Sequence, residues 1–268
     1  MTTIDLDAYF ERIGWGGRAR ADLDTLAGLL RAHMARIPFE NLDVLCGRRV
    51  RLDLEGLQQK LVIARRGGYC FEQATLFAAA LEALGFRPLR HAARVVLHAA
   101  RTDVPRTHMF LTVPLAEGTF VVDPGFGNLG APFPVPLTGG GETGPAPATH
   151  WMARDGPRWA LHARSGDGTV TTWVSTLEEE NARDFDMANH YVSTHPDSVF
   201  VNRLMLCALT DDGRVTVMNR DVTVWRAGEA QTRQLADRGE LRELLARHFG
   251  FDFPEALALR VPSIPEWD

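Results

Sequence analysis

Cys70 follows a Gly-Gly-Tyr turn in the stretch RGGYCFEQ and opens a segment patterned as a helix. A thiol at a helix N-terminus faces unpaired backbone N–H groups and the positive end of the helix dipole, and both favour the thiolate, the reactive form of cysteine. Gly67 and Gly68 are expected to let the backbone approach closely and to leave space above the sulfur. The competing reading is a small hydrophobe packed beside Phe71. A nucleophile needs a base, so the nine histidines become the next question. His91, His98 and His108 occupy the strand-patterned stretch beyond the cysteine segment. In RTHMFLTV, alternation puts His108, Phe110 and Thr112 on one face. Asp123 ends a strand fifteen residues on, in FVVDPGFG, where it could hold an imidazole across a hairpin. Spacing alone does not choose between His108 and His98, and a single histidine on a strand is as readily a surface residue.

The elements that must position these groups follow from hydrophobic period. Leu23, Leu26, Leu30 and Ile37 recur at helical spacing before Pro38. Leu54, Leu57 and Leu61 repeat the pattern, and CFEQATLFAAALEALG is a third helix ended by Gly85. The pattern then changes to β-branched and aromatic runs bounded by Gly, Pro and Asp: FRPLRHAARVVLHAA, RTHMFLTVPL and GTFVVD. Residues 131–150, rich in Pro and Gly, read as a surface loop. More strands follow in HWMAR, RWALHAR and TVTTWVST, then two runs, NRLMLCALT and RVTVMNRDVTVWR. A terminal helix, RGELRELLARHFG, ends the pattern. The reading is a helical first third, a β-rich middle, and a mixed C-terminal part that closes over one or both.

Composition narrows the chemistry. The chain has 268 residues, 45% hydrophobic and 24% charged, with a net charge of −5, an ordinary globular balance. No basic stripe suited to nucleic acid is present. Of 29 basic residues Lys60 is the only lysine, which reads as codon usage without functional content. The N-terminal stretch lacks the form of a signal peptide, and no apolar run approaches a membrane span. Cys46, Cys70 and Cys207 are odd in number and far apart, which argues against a disulfide framework and a thiolate zinc site. No histidine pair stands at metal-ligand spacing, so no metal is expected. The expected setting is a reducing cytoplasm. Gly125, Gly127 and Gly130 match GxGxxG, but APFPVP follows where the phosphate-binding helix would have to start, so a dinucleotide fold is rejected.

RGGYCFEQ resembles the active-site motif of the arylamine N-acetyltransferases, and further segments similar to that family occur in order. IPFENLD (37–43) precedes the cysteine helix, THMFL matches the histidine strand, VVDPGFG the aspartate turn, and NHYVSTHPDSVF the start of a third domain. The resemblance implies an α+β fold: an N-terminal helical bundle (1–85) with Cys70, a central antiparallel β-barrel (86–190) with His108 and Asp123, and a C-terminal α/β lid (191–268). It selects His108 over its neighbours and implies a Cys-His-Asp site like that of cysteine proteases and transglutaminases. The implied activity is ping-pong transfer of an acetyl group from acetyl-CoA, through a Cys70 thioester, to arylamines, hydrazines or arylhydroxylamines. Phe39, Val95, Phe126, Phe200 and Met205 fall where the family lines its acceptor slot and CoA channel; ordinary core packing is the alternative for each.

Two positions depart from the family pattern. Ala74 stands where asparagine is usual, and Pro124 where valine is common, which bears on acceptor and acyl-chain preference. An amide synthase of the same fold, forming a macrolactam from a carrier-bound polyketide, is the alternative within the resemblance. A peptide- or glutamine-directed enzyme with the same Cys, His, Asp order and a non-enzymatic binding protein are the alternatives outside it. No nucleic-acid or membrane partner is expected, and oligomeric state is left open.

Overall fold

The computed structural model describes residues 3–17, 20–97, 100–138, 141–144, 149–165, 168–211, 213–227 and 229–267. His98 lies outside them. In chain order the elements begin with α1 (Leu6–Ile13), α2 (Leu23–Arg36), β1 (Phe39–Glu40), α3 (Leu42–Leu45) and α4 (Leu54–Leu57), which runs on as a π-helical turn, Gln58–Ile63. Then come α5 (Cys70–Ala83), β2 (Leu89–Val95), β3 (His108–Leu115), β4 (Gly118–Val122), β5 (Val135–Pro136), β6 (Thr149–Asp155), β7 (Arg158–Ser165) and β8 (Gly168–Ser175). The C-terminal elements are α6 (Ala182–Thr194), α7 (Val199–Asn202), β9 (Met205–Thr210), β10 (Gly213–Met218), β11 (Asp221–Arg226), β12 (Glu229–Gln234) and α8 (Arg238–Leu244).

The helices start where the sequence supplies acceptors. Asp5, Asp22 and Asp53 accept N–H bonds at the heads of α1, α2 and α4. After α5, Gly85 has φ 87°, a left-handed turn that glycine makes without strain. One core cluster joins Leu26, Leu29 and Leu30 of α2 to Phe71, Phe77 and Leu81 of α5. It also takes in Met109, Leu111 and Val113 from β3, and Phe185 and Val192 from α6.

Seven strands form an antiparallel sheet in the order β5-β4-β3-β2-β8-β7-β6. Its edge strands β5 and β6 approach each other, so the sheet curls into a nearly closed barrel. Phe110, Val121, Val135, Met152, Leu161 and Trp173 fill it. β3 is therefore buried on both faces, Phe110 toward the barrel and its odd-numbered neighbours toward the helices. The first six residues of β3, His108 to Val113, are all buried.

A second sheet has the order β1-β9-β10-β11-β12 and packs on the C-terminal helix and tail, with Leu206, Val215 and Val217 against Leu241, Leu245 and Trp267. This architecture agrees with the expected α+β class. Three local expectations change. RVTVMNRDVTVWR is two strands, because Asn219 turns the chain at φ 57°. The proline-rich stretch 131–150 contributes β5 and the start of β6. The C-terminal sheet does more than close over the first part: it takes Phe39 and Glu40 as its edge strand.

Candidate active site

Cys70 is the first residue of α5, and its sulfur is almost wholly buried. Tyr69 precedes the helix with extended backbone, and the Glu72 side chain reaches back to accept the Tyr69 N–H at 3.1 Å. The Gln73 amide donates to the Gly68 carbonyl at 2.8 Å and lies 3.3 Å from that of Pro38. The turn before the sulfur is therefore tied down by two side chains of its own helix.

The glycines act differently from the expectation. A Cβ on Gly67 would lie 2.2 Å from the Pro38 carbonyl oxygen, and one on Gly68 would lie 2.7 Å from Glu72 Oε2. Both admit packing beneath the turn instead of opening space above the sulfur. The glycine that meets the cysteine is Gly125, where a Cβ would sit 2.5 Å from Cys70 Cα. The rejected GxGxxG stretch is thus the loop that lies on Cys70.

His108 begins β3 and Asp123 directly follows β4, its pairing partner. His108 Nε2 bonds Asp123 Oδ2 at 2.8 Å, with both side chains buried. That leaves the other ring nitrogen for the Cys70 thiol, which also acts on the charge of the ring. The sulfur also lies 3.8 Å from the Thr107 carbonyl. Burial opposes charge on His108, but the Asp123 carboxylate and the bonds to Asp123 and Cys70 outweigh it and carry the imidazole up to about 10. The arrangement stabilises an imidazolium beside a sulfur, which is what a thiolate requires.

His91, the other described candidate, has both nitrogens engaged elsewhere, by the Glu178 carbonyl at 3.0 Å and the Thr112 hydroxyl at 2.8 Å. Its role there is to fasten β2 to β3.

Phe126 stands edge-on to the His108 ring at 5.0 Å. Phe200 lies 5.3 Å from Tyr69 and 6.2 Å from Phe39, so these rings gather beside the cysteine turn. Val95 sits on β2 opposite Trp173, and Met205 opens β9, two residues before the Cys207 that pairs with Phe39. All five of the expected lining residues are half-buried.

One residue of the site has no counterpart in the sequence reading. Trp173 donates its indole N–H to Asp123 Oδ2 at 2.9 Å and stacks on Phe110 at 4.1 Å, fully buried. A buried indole N–H usually finds a partner, yet nothing in TVTTWVST says which. Among the described residues, no group of three or more His, Cys, Asp or Glu could hold a metal ion. Nor is any helix among them long and apolar enough to cross a membrane.

The family model described as N-acetyltransferase matches residues 22–258. The chain belongs to the arylamine N-acetyltransferase family. It is 40% identical over 258 residues to the arylamine N-acetyltransferase of Mycobacterium tuberculosis, covering 93% of this chain and 90% of the relative. The Escherichia coli enzyme of the same name is 36% identical over 258 residues, covering 96% and 92%. The Mycobacterium marinum arylamine N-acetyltransferase structure in complex with CoA superposes with a TM-score of 0.90 at 33% identity, covering 94% of each chain. The resemblance read from five short motifs thus extends over nearly the whole chain, and the protein is an acyltransferase of this family.

Proposed function

We propose that the protein transfers the acetyl group of acetyl-CoA to small aromatic amines, hydrazines or arylhydroxylamines, with Cys70 as acyl carrier. The observation that carries this reading is the buried His108–Asp123 pair aimed at a cysteine that heads a helix. The Cys70 thiolate attacks the thioester carbonyl, forming a new C–S bond as the bond to CoA breaks. The departing CoA thiolate takes the proton of the His108 imidazolium. The amine then attacks the carbonyl carbon of the acetyl-Cys70 thioester, the C–N bond forms as the C–S bond to Cys70 breaks, and neutral His108 accepts the amine proton as the Cys70 thiolate is released.

Exchange of one thioester for another is nearly balanced in energy, so a sulfur carrier suits an activated acyl group. An arylamine is uncharged near neutral pH and already nucleophilic, so its site needs aromatic walls more than a strong base. Phe126 at the His108 ring, and Phe200 beside Tyr69 with Phe39 against it, are the walls assigned to that site. No observation favours the amide-synthase alternative.

Intact-mass measurement after brief exposure to acetyl-CoA without amine tests the reading. The expected result is one acetyl group, mapped to Cys70 and discharged by an arylamine. Wild-type turnover by Cys70→Ala would refute it.

A further inference from the structure

We propose that Lys60 is a positioning residue for Cys70, acting through the Glu72 carboxylate in the first turn of the cysteine helix. The inference rests on Cys70 being the acyl carrier. Behind the start of α5 lie five ionisable side chains from five segments: Glu40 on β1, Asp43 on α3, Lys60 in the π-helical turn, Arg66 in the loop, and Glu72 on α5. Lys60 Nζ lies 2.7 Å from Glu72 Oε1, 2.7 Å from Asp43 Oδ2 and 3.9 Å from Glu40 Oε1. Arg66 covers Glu40 with two nitrogens, at 3.1 and 2.6 Å, and its guanidinium sits over the Phe253 ring at 4.5 Å. The other Glu72 oxygen accepts the Tyr69 N–H, so the chain from ammonium to carboxylate to backbone ends one residue before the sulfur.

The residue type supports a specific role. Every other basic residue in the chain is arginine, yet the position where three carboxylates converge holds the single lysine. An ammonium presents three donors around one compact centre, whereas a planar guanidinium spreads its donors in a fork suited to one carboxylate. Codon usage accounts for the arginines and leaves the exception at Lys60 to be explained by this geometry.

The electrostatics point the same way. Burial pushes the Glu72 carboxyl up, and Lys60 pulls it back, leaving it at about 7. Glu72 faces Lys60, Glu40, Asp43 and Arg66, while Cys70 faces His108 and, behind it, Asp123. Lys60 thus pulls Glu72 back toward its acceptor form within the first helical turn and pairs the charge that the carboxylate carries there.

The test compares wild type, Lys60→Met, Glu72→Gln and the double variant. With all three carboxylates ionised, which for Glu72 means above about pH 7 in wild type and higher still without Lys60, three carboxylates against two cations leave a formal charge of −1 in wild type, and by the same count −2, 0 and −1 in the variants. The readouts are the pH profile of Cys70 alkylation by iodoacetamide, acetylation of Cys70 by acetyl-CoA, and thermal midpoint. Lys60→Met should move the alkylation midpoint up by about one pH unit, which is about tenfold slower alkylation below the midpoint. The double variant should return most of that shift, and Glu72→Gln should move the midpoint down.

A Lys60→Met protein with a lower thermal midpoint but the wild-type pH profile would overturn the proposal and leave Lys60 a structural ion-pair partner. Should Lys60→Met fail to fold, an unmoved midpoint in Glu72→Gln overturns it equally. If wild type takes no acetyl group on Cys70, the functional reading fails, while the alkylation profiles still decide whether Lys60 and Cys70 are coupled.

Discussion

Asp123→Asn changes one charge while keeping the shape of the side chain, and the molecule contains its own control. His33 and His108 are both buried imidazoles. His33 meets the Tyr9 hydroxyl at 2.8 Å, and burial drives it down from 6.5 to about 3. His108 meets the same opposition from burial, but the Asp123 carboxylate and the Cys70 bond lift it from 6.5 to about 10. An imidazole held that far above its ordinary value strongly prefers the charged form. His33 shows that burial without the carboxylate would carry the ring below 6.5, so Asp123→Asn should remove all of that preference. An asparagine amide can also donate to Nε2, which selects the wrong tautomer. Acylation should therefore slow by roughly 10³-fold or more. The assay is release of free CoA from acetyl-CoA without amine at pH 7, together with the pH profile of Cys70 alkylation. Acylation within tenfold of wild type, with an unmoved alkylation profile, would refute the reasoning.

Further consequences follow from the same geometry. Trp173→Phe keeps a ring against Phe110 but removes the indole donor to Asp123. It should lower stability by about 1.5–3 kcal/mol and slow acylation with little change in the amine KM, measurable by denaturant titration and steady-state kinetics. Gly125→Ala puts a methyl group 2.5 Å from Cys70 Cα, so acylation should collapse even in protein that remains folded by circular dichroism. Stability should also depend on pH through the two histidines, with opposite signs. His108 has a folded value above its ordinary one, so its contribution is complete below pH 6.5 and is lost as pH rises toward 10. His33 has a depressed value, so its contribution is present above 6.5 and is lost as pH falls toward 3. The stability difference between wild type and His33→Gln should shift by about 2 kcal/mol between pH 6.5 and pH 5; a constant difference would contradict the assignment.

Cys70 and Asp123 stood out as candidates through local signals, a glycine turn before a helix and a strand end, whereas His108 was singled out only by the family resemblance, because spacing did not choose between it and His98. The change from a helical first third to a β-rich middle was legible because helical and alternating periods occupy separate stretches of the chain. The residues around the site were not. Trp173 is one aromatic residue in a threonine-rich strand, and its N–H finds Asp123 only because β8 pairs with β2, and β2 with β3. The double burial of β3 was hidden as well, since alternation describes a strand with one solvated face. Lys60 carried a compositional signal, but a lone lysine among arginines acquires meaning only when three carboxylates surround it.

The sequence by itself determined which groups could do chemistry and which segments would be helix or strand. Those properties depend on residue type and on neighbours three or four positions away. Only the tertiary structure decided that His108 meets Asp123 at 2.8 Å in a buried site, that Gly125 presses on Cys70, and that Phe39 pairs with Cys207, 168 residues further along the chain. Those outcomes depend on distances of a few ångströms between segments far apart in sequence. In a buried site such distances set the sign of a charge's free energy, by deciding whether the charge meets a partner or bare apolar surface.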